Sequence, residues 1–476
     1  MSKTFYWHDY ETFGVDPSRD RPVQFAGLRT DEELNVLGDP LVLYAAPARD
    51  VLPHPEACLV TGITPQQALA EGVPESEFIR HIHEELARPG TCGVGYNSIR
   101  FDDEVTRYTL YRNFYDPYAR EYKQGNSRWD LIDVVRLAYA LRPEGIEWPQ
   151  GEDGRVSFRL EKLTAANGID HQAAHDALSD VEATIAIARL LRMRQPQLYD
   201  YALKMRSKDF VLTQLDLESM RPLLHISGMF GADRHNAALI APAARHPVNR
   251  NEIICIDLGV DLAPVLELDA ESLAERLFTS TADLPPGAER PGIKSVHINR
   301  SPMVMTPKLL DGAAAARLNI DVAACLSRQE QLAAAPGLRE KLQTMFQQRK
   351  RAVISDPDRM LYSGGFFSDA DRRVMDRLRA ASPDTLASES FVFEDARLPE
   401  MLFRYRARNY PNSLSPEEQA QWEEFRYQYL TEPEAGASIT LEELHARVDA
   451  LMQQAGAEQQ SVLHALLDYG DGLLAH

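Results

Sequence analysis

Cysteine is scarce in this chain, with four among 476 residues. Cys58, Cys92, Cys255 and Cys325 lie far apart and form no C-x-x-C pair, which excludes a disulfide framework and gives no zinc-ligand spacing. Long apolar runs are also missing, and no stretch of about 18 residues reads as a membrane span. The opening MSKTFYWHDY enters a strand pattern almost at once, leaving no room for a signal peptide. A soluble, cytoplasmic protein with no membrane partner is expected. No internal repeat, low-complexity tract or heptad run occurs, so a monomer is the default expectation. Positive charge is short as well. Lys and Arg total 51 against 71 Asp and Glu, a formal net charge of −20, opposite in sign to that of most phosphate-binding surfaces. Any nucleic acid must therefore be met by the local potential of a groove, not by the surface as a whole.

The chain does carry carboxylates in an informative order. Asp9 and Glu11 lie in FYWHDYETFG, Asp102 in GYNSIRFDDE, and His175 with Asp180 in HDALSD. In the first segment Phe5, Trp7, Asp9 and Glu11 alternate with Tyr6, His8 and Tyr10, the pattern of a strand, so the two carboxylates share a face about 6.6 Å apart. His8 turns to the other face and is expected to be structural. Crowded carboxylates repel and raise one another's pKa, and such a group stays ionised when cations neutralise it. An all-oxygen set favours hard ions, Mg²⁺ or Mn²⁺. After HDALSD, Val181, Ile185, Ala188 and Leu191 recur at helical spacing and put Asp180 near a helix start. At about 100° per residue His175 would point roughly 140° away on a continued helix, so it is expected on the preceding loop. A loop histidine there, with an ordinary pKa near 6.5, can take a proton from a cation-held water at neutral pH.

Asp-x-Glu on a first strand, an Asp after Gly-Tyr-Asn, and His-x4-Asp opening a helix resemble the DEDDh superfamily of 3′-to-5′ exonucleases. Within it, FYWHDYETFG, TGITPQ, GYNSIRFDDEVTRYTLYRNFYDPY, NSRWDLIDVVRLAYALRPEGI, LEKLTAANGI, HISGMFGADR, GGFFSDADRR and FRYRARNYP resemble the bacterial exonuclease I family across nearly the whole chain. The resemblance implies processive hydrolysis of single-stranded DNA from its 3′ end to nucleoside 5′-monophosphates, in DNA repair and recombination. It implies two Mg²⁺ ions, with Mn²⁺ as a substitute. Asp9 would bridge them, Glu11 and Asp180 would complete the first site, Asp102 would hold the second through water, and His175 would activate the attacking water. Asp103 adjoins Asp102; the family motif favours Asp102. Other DEDDh substrates, RNA or a polymerase's mispaired 3′ end, form the alternative, with a catalytically silent single-strand-binding scaffold as the remaining class.

The implied fold is α/β: an RNase H-like mixed-sheet exonuclease domain over 1–195, an SH3-like β-rich domain with a helical extension over 196–345, and a helical domain over 346–476. LLHISGMF, NEIICIDLG and IKSVHINRSPMVM supply the β-rich pieces. Beyond 355, Ser415 with Glu418 and Thr440 with Glu443 predict capping boxes, and Leu441, Leu444, Val448 and Leu451 form one apolar face. Residues 96–128 interleave aromatics with arginines, a combination that suits base stacking and phosphate tracking, although more than half of the rings are expected in the core. Tyr96, Asn97, Arg100, Phe101 and Arg128 are the candidates there. Thr61, Gly62 and Ile63 match the family segment against the terminal nucleotide, with Phe13 in the same role. Arg404, Arg406 and Arg408 are expected to close over the strand. The resemblance also implies a partner, the C-terminal tail of single-stranded-DNA-binding protein, met by Arg142 and Arg339. Asp321 stands where the family segment is more basic. His225, His235, His246 and His297 lack ligand spacing and are expected on the surface or in a groove.

Overall fold

The computed structural model describes residues 3–171, 175–348 and 354–474. They divide into two compact units, the first built from 1–127, 171–182 and 353–476, the second from 128–170 and 183–352. Compactness thus groups the C-terminal helices with the N-terminal sheet. It also gives 128–170 and 183–195 of the expected first domain to the second unit.

In the first unit β1 (Thr4–Thr12) runs antiparallel to β2 (Pro22–Thr30), which pairs antiparallel with β3 (Leu41–Tyr44). On its other side β1 pairs parallel with β4 (Thr91–Gly95), giving the expected mixed sheet. Alternation along β1 works as anticipated. Tyr6 and Tyr10 enter a core with Phe25, Phe78, Ile79 and Ile82, while Trp7 donates its indole N–H to Thr30 Oγ1 at 2.9 Å. His8 is buried beside Phe25 with ring centroids 6.2 Å apart. Burial pushes its pKa down to about 4, so it stays neutral and structural.

The C-terminal helices build two further cores with the N-terminal residues. Both capping boxes form, at Ser415 for the helix Pro416–Thr431 and at Thr440 for Leu441–Met452. Leu444 and Val448 pack with Leu463, Leu466 and Tyr469 against Phe13, Val51, Cys58 and Ile63. Tyr108, Tyr111 and Phe114 pack with Leu378, Leu398, Met401 and Tyr405. These rings belong to the core, as expected of most aromatics in 96–128.

The arginine run departs from expectation. Arg404 pairs with Asp356 at 2.7 Å and Asp358 at 3.3 Å, and Arg408 with Asp358 at 2.7 Å and Asp50 at 2.8 Å. Arg406 pairs with Glu418 at 2.6 Å. The side chains of Arg404 and Arg408 are buried: both tie their helix to the 356–358 segment and Arg408 also ties it to Asp50, so neither guanidinium is displayed to a strand.

The chain enters the second unit within β5 (Ser127–Asp130). There β6 (Leu223–Ile226), β7 (Ala237–Arg245), β8 (Glu252–Asp257), β9 (Ile293–His297) and β10 (Met303–Met305) make an antiparallel sheet in the order β10-β6-β7-β8-β9. Helix Leu131–Leu141 packs on β6 and β10, and helices Val322–Ala334 and Leu338–Gln347 pack on β7. Asp321 accepts from the backbone N–H of Ala324 as an N-cap. Of the four histidines, His225 is buried edge-on to Phe230, contrary to the expected surface or groove position, whereas His246 lies against Phe346 and close enough to His297 to act on it electrostatically. All four cysteines are buried thiols. No helix among the described residues is long and apolar enough to cross a membrane.

Candidate active site

Asp9 and Glu11 lie opposite Ala26 and Gln24 of β2, and a bulge follows between Glu11 and Thr12. Bulges re-aim side chains at strand ends, and this one follows the second carboxylate directly. On the other edge, β1 and β4 pair only as far as Trp7 and Val94. Past that point the backbone N–H of Tyr10 is taken by Asp102 Oδ1 at 3.1 Å. The turn between β4 and Asp102 is tight. A Cβ on Gly95 would meet the carbonyl oxygen of His8 at 2.8 Å, and Asn97 adopts φ 67. Asp102 then opens the helix Asp102–Arg112.

Asp102 and Asp103 differ in their partners. Asp103 Oδ1 receives Arg120 Nη2 at 2.6 Å, both side chains almost fully buried. Asp102 instead faces the β1 backbone and the other acids: the charges acting on Asp9 are those of Asp102, Glu11, Asp180 and Asp176.

The third element is the helix Ala177–Arg194, with Asp180 in its first turn. His175 lies on the turn before it, exposed, at φ 69, as the rotational argument requires. Ligand atoms of Glu11, His175 and Asp180 lie within 4.8 Å of one another. The helix start is held by Gln24 of β2. Its Oε1 accepts from Ala177 N at 3.1 Å, and its Nε2 donates to Asp176 Oδ2 at 3.2 Å and to Tyr44 Oη at 2.9 Å.

The electrostatics of this cluster call for positive charge. Burial, then Asp102, Glu11, Asp180 and Asp176, hold Asp9 well above the ordinary carboxylate range. Burial and three neighbouring carboxylates push Glu11 to about 8. Asp180 is raised by burial, partly offset by His171 and His175. Carboxylates this crowded, with two imidazoles beside Asp180, fit a site for hard divalent cations.

Three participants carried no motif of their own. His171 Nε2 lies 2.6 Å from Asp180 Oδ1; Asp176 adds to the acidic field; Gln24 fixes the loop-to-helix junction. Asp176 sits inside HDALSD, but neither spacing nor residue type separates it from a helix cap, and it does accept from Ser179 N.

The expected substrate contacts divide. Phe13 is 1% exposed and Ile63 is 5% exposed, both inside the core, so these side chains are corrected from nucleotide contacts to packing. Gly62 is exposed and caps the helix Pro55–Thr61 at φ 73, and Thr61 Oγ1 accepts from Ile63 N at 3.1 Å. Tyr96, Asn97 and Phe101 are half-buried and Arg100 is exposed. In the second unit Arg128 is buried and donates to the carbonyl of Asn299 at 3.1 Å, so it too is corrected to a structural role. Arg142 and Arg339 are both exposed there.

Three family models cover the chain: Exonuclease over residues 6–188, Exonuclease I SH3-like domain over 206–348 and Exonuclease I C-terminal domain over 355–473. The chain is 48% identical over 477 residues to exodeoxyribonuclease I of Escherichia coli K12, covering 100% of this chain and 99% of that protein. It is similar to a moderately thermophilic exonuclease I from Methylocaldum szegediense, at TM-score 0.95 and 50% identity, over 99% of this chain and 100% of that one. It is also similar to E. coli exonuclease I in complex with a dA16 oligonucleotide, at TM-score 0.94 and 48% identity over the same shares.

Proposed function

The chain belongs to the exonuclease I family, and from this we propose that it is an exodeoxyribonuclease that processively removes nucleoside 5′-monophosphates from the 3′ end of single-stranded DNA. One observation carries the reading: Asp9, Glu11, Asp102 and Asp180 converge with His175 at one end of β1, in a chain that aligns end to end with exodeoxyribonuclease I.

In this reading Asp9, Glu11, Asp102 and Asp180 would hold two divalent ions, Mg²⁺ with Mn²⁺ as substitute. The bound ions supply Lewis-acid charge that offsets the crowded carboxylates and the phosphodiester. His175 takes a proton from the attacking water as a new oxygen–phosphorus bond forms and the bond to the 3′ oxygen breaks. The shortened strand keeps a 3′-hydroxyl and the released nucleotide a 5′-phosphate. Its loop position leaves the imidazole free to approach the water and withdraw.

The parts 1–195, 196–345 and 346–476 are proposed as catalytic, SH3-like and helical domains. A cytoplasmic role in DNA repair and recombination, and docking of the single-stranded-DNA-binding protein tail at Arg142 and Arg339, complete the proposal. The test is digestion of 3′-labelled single-stranded DNA, duplex DNA and RNA with and without Mg²⁺, by wild type and Asp9→Ala. Metal-dependent loss of label from single-stranded DNA is expected from wild type alone. No such loss rejects the reading, and preference for RNA redirects it to the oligonucleotide-trimming alternative.

A further inference from the structure

Asp180 has a close partner outside the motif. His171, nine residues earlier, places Nε2 2.6 Å from Asp180 Oδ1, its side chain 3% exposed against 18% for the aspartate. The separation is that of a strong charge-assisted hydrogen bond. An ionised carboxylate can only accept, so with Asp180 in the form that binds a cation, Nε2 of His171 carries the hydrogen. One of the two carboxylate oxygens is thereby committed to the imidazole.

We propose that His171 is a positioning residue for the reaction: it fixes the rotation of the Asp180 carboxylate so that a single oxygen is presented to a divalent cation shared with Glu11. The proposal rests on the reading of Asp180 as a ligand. A carboxylate in the first turn of a helix has competing partners in the unpaired backbone N–H groups there. A buried donor removes that freedom. His175 also holds Asp180, but through its backbone N–H; its imidazole belongs to an exposed residue on the turn. The two histidines, four residues apart, therefore divide the work: the buried one orients a ligand and the exposed one handles the proton. Removing a partner of this kind from a metal ligand typically lowers metal affinity or activity about 10–100-fold.

The test is calorimetric titration of Mn²⁺ and Mg²⁺ into the full-length protein without DNA, for wild type, His171→Phe, His171→Gln and Asp180→Ala, beside steady-state kinetics on single-stranded DNA. His171→Phe keeps the bulk and loses the donor; it is expected to weaken cation binding about 10–100-fold and to lower kcat with KM for DNA unchanged. His171→Gln, whose amide N–H can reach the same oxygen, should recover most of both. Wild-type cation affinity in His171→Phe overturns the proposal, as does a Gln variant no better than Phe when both melt at the wild-type temperature. Asp180→Ala separates the two levels. If it binds cations as wild type does, the assignment of Asp180 fails; if it loses affinity while His171→Phe does not, the role of His171 alone fails.

Discussion

The backbone N–H of Tyr10 donates to Asp102 Oδ1 across 3.1 Å, joining positions 92 residues apart. Tyr10 lies between Asp9 and Glu11, so this bond ties the acidic strand to the helix that carries the next acid. Asp103, one residue on, faces Arg120 instead.

The two neighbouring aspartates should therefore fail differently. Asp102→Asn keeps an acceptor for Tyr10 but removes charge from the cluster, so activity should drop by about 100-fold or more with little change in melting temperature. Asp103→Ala takes the nearest carboxylate from a buried guanidinium, leaving Glu121 at 3.9 Å, and should cost about 3 kcal/mol of stability. Thermal melts beside exonuclease assays check both, and a reversed pattern would exchange the roles of Asp102 and Asp103.

Carboxylate crowding predicts a pH dependence for the metal-free protein. Glu11 is raised from 4.5 to about 8 by burial and by Asp180, Asp102 and Asp176. The folded state thus binds its proton more tightly than the unfolded chain does. Its contribution to stability is complete below about 4.5 and is lost as pH rises through about 8. The melting temperature in chelator should fall across this window, Glu11→Gln should flatten the fall, and Mg²⁺ should offset it. A pH-independent melt in chelator would contradict the crowding.

How much of this was legible in the sequence depends on what holds each part in place. Alternation along β1 and the rotation between His175 and Asp180 are local geometry, and both appear in the fold. The capping boxes at Ser415 and Thr440 are equally local. β7 was not legible: AALIAPAAR is rich in alanine, a helix former, and contains a proline. It is a strand because its residues are buried along nearly its whole length between β6 and β8, with Pro242 at a bulge. The functions of Arg404 and Arg408 were not legible either. Their partners Asp50, Asp356 and Asp358 lie about 50 or more residues away or in an unrelated segment, so composition resembled a phosphate groove where tertiary structure made ion pairs.

Arg408 joins Asp50 and Asp358, all three nearly buried. Arg408→Ala should lower stability by about 3–5 kcal/mol, because it leaves two buried carboxylates without their shared cation. Arg408, then Arg404, hold the Asp358 carboxyl far below its ordinary range against the opposing effect of burial. Stability from this site is present above about 3.8 and is lost as pH falls through the lowered value. Because Arg408→Ala removes the main cause of that lowering, the variant should be less acid-sensitive than wild type, the stability gap in urea titrations being largest near pH 7 and narrowing toward pH 4 and below. Unchanged stability with shortened processive runs would restore Arg408 to a strand-facing role.

Arg142 is exposed in the second unit and donates to the carbonyl of Leu141 at 2.6 Å, so charge reversal there should leave the fold intact. If the acidic tail of single-stranded-DNA-binding protein docks beside it, Arg142→Glu should weaken binding of the tail peptide roughly ten-fold, about 1.4 kcal/mol. Fluorescence anisotropy with labelled peptide reads this directly, and equal affinities would sink the assignment.

Phe13 separates a stacking role from a packing role. A ring that stacked the terminal base could not be replaced by leucine without raising KM, since base–aromatic stacking contributes about 1–3 kcal/mol per base. A core ring tolerates an apolar residue of similar size but not truncation. Phe13 is 1% exposed and packs with Cys58, Ile63 and Leu444, so Phe13→Leu should leave KM for single-stranded DNA near wild type and cost little stability. Phe13→Ala should cost about 3–5 kcal/mol through the cavity it opens between the N-terminal segment and the C-terminal helices. A Leu variant of wild-type stability with KM raised ten-fold or more would return Phe13 to the nucleotide.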